Sequence, residues 1–455
     1  MKGLTNIQAV YLIGIGGIGM SGLARYFAAQ GKIVSGYDRT STELTNELES
    51  AGISVHFQDN VSAIPYEFKN TDNTLVIYTP AVPSNHSELN YFRNNGFEVL
   101  KRSQVLGELS KTYNTVAVAG THGKTTTSSI VAHLLRSSSK DCNAFLGGIS
   151  TNYNTNLLTS TSSNLMVVEA DEFDRSFLTL SPDIAIVTSV DADHLDIYGS
   201  ADEILNSFQD FTERITENGT LIYRLGLPFS DTKKKNFTYS LNEKCDYYIS
   251  NISVESGKYK FDLHSPSGTM KDLTFGMPGL HNVENAVAAF AAVDQLGLSE
   301  AEIRIGLASY KGVKRRFEVH INTEQLVYID DYAHHPTEIS ACVSSVRELF
   351  PGRKVKGIFQ PHLFSRTKDH MNEFAETLST LDEVTLLEIY PVREEPIIGI
   401  TSSALLEKVT AQNKGLQSKT AVLDAITASN TDVLLTMGAG DIDQLVSPIK
   451  AKLLS

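Results

Sequence analysis

The sequence predicts an α/β protein of three domains in series. Its 455 residues are enough for about three domains of ordinary size. Short apolar segments typical of buried strands alternate with longer amphipathic segments typical of helices, which indicates parallel sheets covered by helices. Changes in this pattern place the domains at residues 1–107, 108–313 and 314–455.

The composition is that of a soluble globular protein, with 41% hydrophobic and 20% charged residues. No apolar run approaches the ~18 residues of a membrane span, and the N-terminus lacks the apolar core of a signal peptide. Cys142, Cys245 and Cys342 are too scattered for a metal site or a disulfide framework, which favours a reducing cytoplasm. The net charge of −14 disfavours nucleic acid as a partner, so an anionic substrate needs local positive groups.

The first domain begins with a dinucleotide-type fingerprint. The apolar segment IQAVYLIG leads into GIGGIGMSG, which matches G-x-G-x-x-G at Gly14, Gly16 and Gly19. Asp38 follows about 20 residues later, at the end of the next apolar segment. This arrangement predicts a Rossmann-like domain with a diphosphate at the start of a helix, without identifying the nucleotide. The structural alternative is a glycine turn that serves only tight packing.

The central domain contains a shortened phosphate loop, AVAGTHGKTTT, at residues 117–127. Two residues separate Gly120 from Gly123, where the common P-loop has about four. The loop still lies between a strand and a helix, so its amides and the helix dipole are placed to bind phosphate. We expect Lys124 to reach the β- and γ-phosphates of a nucleotide and Thr125 to complete a magnesium shell. The alternative is an ordinary turn with a surface lysine.

Two further strands of this domain end in polar residues. VVEADEFDRSF places Glu169 at one strand end, and VDADHLD places His194 at the next. Ligands bind at that edge of an open parallel sheet, so both side chains are candidates to hold Mg²⁺ near the phosphate loop. Histidine is a less usual magnesium ligand, and His194 could equally cap a helix or lie in the core. From about residue 217 to 276 the character of the sequence changes, and YYISNISVESGKYKFDLHS alternates polar and apolar residues, which predicts a small antiparallel sheet.

The third domain repeats the alternation of strands and helices, and we expect a second Rossmann-like fold. DDYAHHPTE and FQPHLFSRT follow two of its four strand candidates and are rich in groups without a packing role. Arg366 could bind a carboxylate bidentately, whereas His335 could belong to a site or to an exposed loop. Arg315 and Arg316 in KRRFE could contact phosphate or form a solvated face.

The order of these motifs resembles that of the Mur ligase family. GIGGIG, GTHGKTTT, EADE, DADH, GLHNVENAVAA, RRFE, DDYAHHPTE, FQPH and GAGD follow one another along nearly the whole chain. The resemblance implies an ATP-dependent amide ligase of peptidoglycan synthesis. Within the family, the motifs are most similar to the branch that joins L-alanine to UDP-N-acetylmuramate through an acyl phosphate.

The resemblance also implies roles for particular residues, with the UDP substrate in the first domain, ATP in the central domain, and L-alanine in a third domain that closes over ATP. With Asp38 from the fingerprint, the UDP-substrate residues are Gly16, Gly17, Gly19 and Asp38. The ATP residues are Gly120, Thr121, His122, Gly123, Lys124, Thr125, Thr126, Asn285 at adenine, Arg316 at phosphate and Asp331 at ribose. Tyr332, His334, His362 and Arg366 are assigned to L-alanine, and Thr125, Glu169 and His194 to magnesium. The expected catalytic residues are Lys124, His194, His334 and Arg366, with His334 as the candidate helper in freeing the amine of its proton.

Two positions depart from the family pattern. NSFQDF carries no lysine where other members have a modified one, which agrees with the alanine-adding branch and leaves any second metal incomplete. Leu363 stands where many relatives have a basic residue, so more of the carboxylate binding falls to Arg366. A murein tripeptide-recycling ligase, an NAD-dependent oxidoreductase and a regulatory ATPase remain as alternatives, and both a monomer and a dimer remain open.

Overall fold

The computed structural model describes residues 6–191, 195–229, 232–255, 258–392 and 394–454. The chain separates into two compact units. The first comprises Met1–Ser250, Asp262–Leu273 and Asn285–Ser309, and the second comprises Asn251–Phe261, Thr274–Glu284 and Tyr310–Ser455. The predicted α/β class is confirmed, because the large sheets of both units are mainly parallel and alternate with helices along the chain.

A five-stranded parallel sheet opens the first unit. Its strands are β1 (Ala9–Ile13), β2 (Ile33–Tyr37), β3 (Ser54–His56), β4 (Thr74–Tyr78) and β5 (Glu98–Lys101). Its helices are α1 (Ile18–Ala29), α2 (Glu43–Ser50), α3 (Ser87–Asn94) and α4 (Arg102–Ser110), with 3₁₀ turns at Val61–Ala63 and Tyr66–Phe68. The order is β3-β2-β1-β4-β5, so the strand order reverses beside the fully buried β1. The glycine turn after β1 therefore lies at the switch point, where open α/β sheets bind ligands.

A seven-stranded sheet follows in the same unit. Its strands are β6 (Asn114–Ala119), β7 (Asn143–Ser150), β8 (Thr155–Leu158), β9 (Leu165–Glu169), β10 (Ile184–Val187), β11 (Thr220–Arg224) and β12 (Lys235–Tyr239). Its helices are α5 (Lys124–Arg136), α6 (Leu195–Tyr198) and α7 (Ala201–Glu213), with a 3₁₀ segment at Phe173–Thr179. The order is β12-β11-β10-β6-β9-β7-β8, and only the β7–β8 pair is antiparallel. Because β6 lies between β9 and β10, the segments after these three strands meet at one edge.

The two sheets of the first unit share their hydrophobic core. One cluster of buried side chains includes Leu23 and Phe27 of α1 together with Phe145 of β7 and Leu157 of β8. The rings of Tyr26 in α1 and Phe145 are 5.3 Å apart between centroids. Burial of these side chains therefore stabilises both sheets at once.

Three further strands form a small sheet in the order β13-β14-β15. They are β13 (Tyr248–Glu255), β14 (Lys258–Ser265) and β15 (Gly268–Phe275), followed by α8 (Leu280–Gln295) and α9 (Glu300–Ser309). The alternating segment at residues 247–265 contains β13 and β14, whereas β11 and β12, which lie in the same stretch of changed sequence character, extend the parallel sheet. The first four residues of β11 are buried on both faces, as is typical of a strand in a parallel sheet.

A six-stranded sheet forms the framework of the second unit. Its strands are β16 (Glu318–Asn322), β17 (Val327–Asp331), β18 (Val355–Phe359), β19 (Glu383–Leu386), β20 (Asn413–Leu416) and β21 (Val433–Met437). Its helices are α10 (Pro336–Leu349), α11 (Phe364–Asp369), α12 (Met371–Leu378), α13 (Ser402–Lys408), α14 (Lys419–Ala425) and α15 (Val446–Leu454), with 3₁₀ turns at Ala428–Asn430 and Asp441–Leu445. The order is β16-β17-β21-β18-β19-β20, with β16 antiparallel to β17. Since β17 and β18 both run parallel to β21, the segments that follow them emerge at the same edge.

None of the helices in the described part of the chain combines the length and apolar character that crossing a bilayer would need.

Candidate functional site

Two glycines shape the phosphate loop between β6 and α5. Gly120 has φ +139°, and a Cβ there would lie 1.9 Å from Oγ1 of Thr188, which follows β10. Gly123 precedes α5 with φ +81°, and a Cβ there would lie 2.7 Å from Oδ1 of Asn285 in α8. Both positions need glycine, because a side chain would strain the backbone and collide with its neighbour. The shortened loop is a close-packed turn, with the predicted adenine residue Asn285 beside it.

Side chains that follow β10 fix this loop. Oγ of Ser189 accepts the backbone N–H of His122 at 2.8 Å and lies 2.9 Å from Oγ1 of Thr121. Oγ1 of Thr121 in turn accepts the backbone N–H of Asp191 at 3.0 Å. Nε2 of His122 lies 3.4 Å from a carboxylate oxygen of Asp191. The side chains of Thr121 and His122 therefore both contribute to holding the turn.

Lys124, the first residue of α5, is enclosed by the loop and by the EADE segment. Its side chain is 14% exposed. Nζ donates hydrogen bonds to the carbonyl oxygens of Gly120 at 2.6 Å and Thr121 at 3.3 Å. It also donates to Oε1 of Glu172 at 2.8 Å, and Glu172 is only 2% exposed. The sequence did not identify Glu172 as a site residue; its position three residues after Glu169, in the same acidic motif, was the available signal.

Burial and charge act in opposite directions on this ion pair. Burial lowers the pKa of Lys124, but the negative charges of Glu172, Glu169 and Asp171 outweigh it and leave that pKa raised. Burial raises the pKa of Glu172 to about 7, against the lowering effect of the lysine charge. Lys124 is therefore a cation at neutral pH, as contact with phosphate requires.

Thr125 and Glu169 form an oxygen-rich pair next to Lys124. Oγ1 of Thr125 donates a hydrogen bond to Oε2 of Glu169 at 2.8 Å. A Cβ on Gly147 of β7 would lie 2.0 Å from the same carboxylate oxygen, so the glycine makes room for it. Hydroxyl and carboxylate oxygens are ligands that magnesium prefers, and the pair fits that ion. The third predicted ligand, His194, lies outside the described residues. Thr126, the next residue of α5, is buried.

The glycine turn after β1 brings together the residues predicted for the UDP substrate. The backbone N–H of Gly16 donates to Oδ2 of Asp38 at 2.8 Å, and Gly17 is the residue before α1. A Cβ on Gly19 would lie 2.3 Å from Nη1 of Arg102, at the start of α4. The guanidinium of Arg102 thus lies over the first turn of α1, where the helix dipole favours an anion.

Arg102 also contacts the central sheet. Its Nη2 donates to Oδ2 of Asp171 at 3.1 Å, and the arginine side chain is 25% exposed. Asp171 belongs to the same EADE segment as Glu169 and Glu172. The sequence analysis missed Arg102, although it follows a strand whose carboxyl end shares an edge with β1. One arginine therefore joins the glycine turn of the first sheet to the acidic segment of the second.

In the second unit, the four residues predicted for L-alanine lie together at the edge where β17 and β18 end. The rings of Tyr332 and His334 are 5.3 Å apart, and those of His334 and His362 are 5.9 Å apart. Nη1 of Arg366 lies 3.4 Å from Nδ1 of His362, and Arg366 is 7% exposed. A buried guanidinium beside imidazoles is suited to binding a carboxylate.

Both imidazoles of this cluster are neutral at physiological pH. Burial lowers the pKa of His334 to about 4, with Glu338 opposing and Arg366 adding to the effect. Burial lowers the pKa of His362 to about 3, and His334 and Arg366 add to it. Nδ1 of His334 lies 3.0 Å from the carbonyl oxygen of Tyr332. A carbonyl only accepts, so we assign the proton to Nδ1, which leaves the lone pair on Nε2.

Arg315 and Arg316 have different surroundings. Nε of Arg315 donates to Oδ2 of Asp330 at 2.9 Å, and its Nη2 donates to the carbonyl of Gly438 at 2.8 Å. Both guanidiniums lie over the ring of Tyr332, with Cζ 5.4 Å from the ring centroid for Arg315 and 4.9 Å for Arg316. Arg315 therefore ties the sheet edge together, while Arg316 stays beside the histidine cluster.

The turn that carries Arg316 is held by carboxylates. Oδ2 of Asp331 accepts the N–H of Phe317, and Oδ1 accepts the N–H of Ala333, both at 2.7 Å. Arg315 and Phe317 have φ of +63° and +49°, a conformation that side chains rarely adopt. Burial raises the pKa of Asp331 to about 6. The predicted ribose residue thus also stabilises a strained turn.

His335 begins α10 as its N-cap, with Nδ1 accepting the N–H of Thr337 at 3.3 Å. The structure gives this histidine a helix-capping role that the sequence analysis did not consider, and at 6% exposure it does not belong to an exposed loop.

Three regions of the chain match domains of one family. Residues 9–114 match the domain described as Mur ligase family, catalytic domain. Residues 118–293 match the Mur ligase middle domain, and residues 315–440 match the domain described as Mur ligase, glutamate ligase domain.

Curated relatives extend this similarity over the full length. The chain is 50% identical over 450 residues to the UDP-N-acetylmuramate–L-alanine ligase of Parabacteroides distasonis, covering 98% of this chain and 97% of the relative. It is 52% identical over 450 residues to the enzyme of the same name from Flavobacterium psychrophilum, covering 99% of both chains.

Solved structures of ligases also resemble this chain over nearly its full length. The UDP-N-acetylmuramate–alanine ligase of Thermotoga maritima matches with a TM-score of 0.80 at 28% identity, over 97% of this chain and 98% of that one. A murein peptide ligase of Psychrobacter arcticus shares the fold, with a TM-score of 0.72 at 22% identity, over 98% of each chain. With all three domains matched in order and half of its residues identical to relatives of this kind, the chain belongs to the Mur ligase family.

Proposed function

We propose that the protein is an ATP-dependent ligase that joins L-alanine to the lactoyl carboxylate of UDP-N-acetylmuramate and releases ADP and phosphate. The observation that carries the proposal is the 50% identity, over 98% of this chain, to a relative named UDP-N-acetylmuramate–L-alanine ligase. The phosphate loop of the first unit and the carboxylate-binding cluster of the second unit supply the groups that this reaction needs.

The chemical difficulty is that a carboxylate is a poor electrophile in water. Transfer of the γ-phosphoryl group of ATP to the carboxylate gives an acyl phosphate, which the amine of alanine then attacks with loss of phosphate. Phosphoryl transfer depends mainly on positioning and on charge stabilisation. Lys124 supplies a fixed positive charge, and the amides at the start of α5 supply hydrogen-bond donors for the phosphates.

Magnesium is part of the proposal. Thr125 and Glu169 would hold the ion, since both side chains present oxygen atoms beside Lys124. The bound ion would neutralise charge on the phosphates of ATP.

The histidine cluster is proposed to receive L-alanine. Arg366 binds the α-carboxylate as a bidentate partner, because its planar guanidinium presents paired donors in a buried setting beside neutral imidazoles. Nε2 of His334 accepts a hydrogen bond from the amine and so fixes the direction of the amine's lone pair. With a pKa of about 4, His334 is a weak base, and its contribution is therefore orientation of the amine more than removal of a proton.

The UDP substrate is assigned to the turn of Gly16, Gly17 and Gly19, with Asp38 beside it and Arg102 as a cation over α1. The diphosphate gains from both the helix dipole and the guanidinium. The proposed location is the cytoplasm, which the scattered cysteines favour.

Phosphate release from ATP tests the proposal. The purified protein is assayed with Mg²⁺, UDP-N-acetylmuramate and a panel of L-amino acids, and L-alanine is expected to give the highest kcat/KM. Lys124→Ala is expected to abolish release while binding of the UDP substrate, measured by calorimetry, stays near the wild-type value.

The other possible activities give different results in the same assay. Turnover with a murein tripeptide in place of L-alanine would indicate the recycling ligase. Binding of NAD without phosphate release would indicate an oxidoreductase. ATP hydrolysis at a rate that does not depend on the UDP sugar would indicate a regulatory ATPase.

A further inference from the structure

Glu172 is a buried carboxylate beside the phosphate loop for which the proposed reaction has no role. It is 2% exposed, and both of its oxygens lie 2.8 Å from Nζ of Lys124. Only Oε1 has hydrogen-bond geometry, and Oε2 is buried without a hydrogen-bond partner. The backbone of Glu172 is held separately, because its carbonyl accepts a hydrogen bond from the hydroxyl of Tyr198 at 2.5 Å.

All three N–H groups of Lys124 already have acceptors in this arrangement. They are the carbonyls of Gly120 and Thr121 and the carboxylate of Glu172. An ammonium group donates three hydrogen bonds and no more, so a phosphate oxygen can bind Nζ only if one of these bonds is released. The two carbonyls are neutral, whereas Glu172, in the ionised form that the charge of Lys124 favours, has the same sign of charge as phosphate. The Glu172 bond is therefore the one that opposes nucleotide binding.

We propose that Glu172 is a positioning residue: it pairs with Lys124 while the loop is empty and is displaced from Nζ by the β- and γ-phosphates of the nucleotide. This inference rests on the proposed function of the loop as the ATP site. A buried ammonium without a partner is costly, so the carboxylate keeps Lys124 charged and in place between turnovers. The same contact reduces the affinity for any nucleotide whose phosphates must replace Glu172 as the hydrogen-bond partner of Lys124.

Binding of AMP, ADP and ATP to Glu172→Gln tests this role. The amide keeps the shape of the side chain and removes its charge. We expect the variant to bind ADP and ATP about 10-fold more tightly than the wild type, the factor that about 1.4 kcal/mol represents. AMP is expected to bind equally well to both proteins, because its single phosphate does not reach Lys124. Isothermal titration calorimetry gives the three dissociation constants, and steady-state kinetics is expected to show a lower KM for ATP.

Asp174→Asn is the matched control. Asp174 lies in the same segment and pairs with the exposed Lys101 at 2.7 Å, away from Lys124. Its φ of +53° suits asparagine, so the substitution removes one negative charge without straining the backbone. We expect its ADP and ATP affinities to match those of the wild type. An equal gain in this variant would show a general charge effect and overturn the proposal.

Two other results would also reject the role of Glu172. One is an equal change in the affinities for AMP, ADP and ATP, and the other is weaker binding of ATP by Glu172→Gln. If that variant does not fold, Glu172→Asp keeps the charge but shortens the side chain, and an intermediate gain specific to ADP and ATP is expected. Wild-type protein that binds ATP but releases no phosphate with UDP-N-acetylmuramate and L-alanine would contradict the proposed function alone, because the nucleotide comparison would still report on Glu172.

Discussion

Arg366 is a buried cation beside imidazoles that are neutral, which makes it sensitive to substitution. Its side chain lies 3.4 Å from a neutral His362. Replacing it by lysine keeps the charge but removes the planar pair of donors that fits a carboxylate.

We expect Arg366→Lys to raise the KM for L-alanine about 10-fold or more, the effect of losing one hydrogen bond to a charged group. The KM for ATP should change much less. Arg353→Lys, at an arginine that pairs with Asp432 elsewhere in the same unit, serves as the control. Steady-state kinetics with each substrate varied in turn provides the measurement, and equal increases in both KM values would count against a specific role in alanine binding.

Glu88 is a second buried carboxylate, located in the first sheet. It is fully buried, accepts the hydroxyl of Tyr11 at 2.8 Å and accepts the backbone N–H of Asn60 at 3.1 Å. Burial raises its pKa from 4.5 to about 7, since the two hydrogen bonds only partly oppose the loss of solvent. The fold therefore prefers the protonated carboxyl. Its contribution to stability is present below pH 4.5 and is lost as pH rises from 4.5 to about 7.

We expect Glu88→Gln to remove this part of the pH dependence of stability. The amide can donate to the hydroxyl of Tyr11, which in turn lies 2.6 Å from Nε2 of His56 and can donate to it. At pH 8 the variant should be more stable than the wild type by on the order of 3 kcal/mol at most. Thermal unfolding at pH 5, 6, 7 and 8 measures the difference, and parallel curves for the two proteins would show that Glu88 is not responsible.

At the scale of elements, burial decides which strands the sequence could predict. In the third domain the four apolar segments appear as β17, β18, β19 and β21, as expected. The strands that were missed, β16 and β20, lie at the two edges of the sheet, where half-exposed residues weaken the hydrophobic pattern. In the central domain, the alternating segment at residues 247–265 forms β13 and β14, whereas β11 and β12 were not identified as strands of the parallel sheet, because partner strands are set by tertiary packing.

In the candidate site, too, some residues were predictable from the sequence and others were not. The glycine loops were predictable, because φ values such as +139° at Gly120 and +81° at Gly123 favour glycine, and glycines at these spacings are visible in the sequence. Arg102 and Glu172 were not identified, because each acquires its position through contact with a different element. The residues assigned to substrates by the family resemblance remain predictions until they are tested by mutation.

Arg102 allows a prediction about the junction of α4 with α1. We expect Arg102→Ala to raise the KM for UDP-N-acetylmuramate about 10-fold, since a charge-assisted contact to the diphosphate is lost. Lys101→Ala is a close control, because Lys101 is the neighbouring cation and pairs with Asp174 instead. Kinetics with the UDP substrate varied at saturating ATP and L-alanine measures the effect. A similar increase for both variants would leave Arg102 with only a general electrostatic contribution.

At the scale of the whole molecule, the first and central domains behave as one structure within the first unit. Besides the shared core, Nδ2 of Asn156 in β8 donates to the carbonyl of Ile18 at 2.5 Å and to Oγ of Ser21 at 3.0 Å. Asn156 is 1% exposed, so these bonds are shielded from water. Domains joined in this way are expected to unfold cooperatively.

Asn156→Ala tests this cooperativity. We expect the loss of buried hydrogen bonds to lower the free energy of unfolding by about 1–3 kcal/mol. Hydrogen exchange followed by mass spectrometry should show faster exchange, by the same factor, in peptides from β1 and from β6. Acceleration confined to β1 would mean that the first sheet opens independently of the central one.

The Lys124–Glu172 pair has a consequence for how the enzyme recovers after each turnover. Every catalytic cycle leaves inorganic phosphate beside a loop built to attract it. With its ammonium already neutralised by Glu172, the vacated loop offers this product little net charge. We expect a nucleotide to compete successfully, because the predicted base and ribose contacts would add to those of its phosphates. We therefore expect weak product inhibition by phosphate, and an enzyme that is quickly ready for the next ATP.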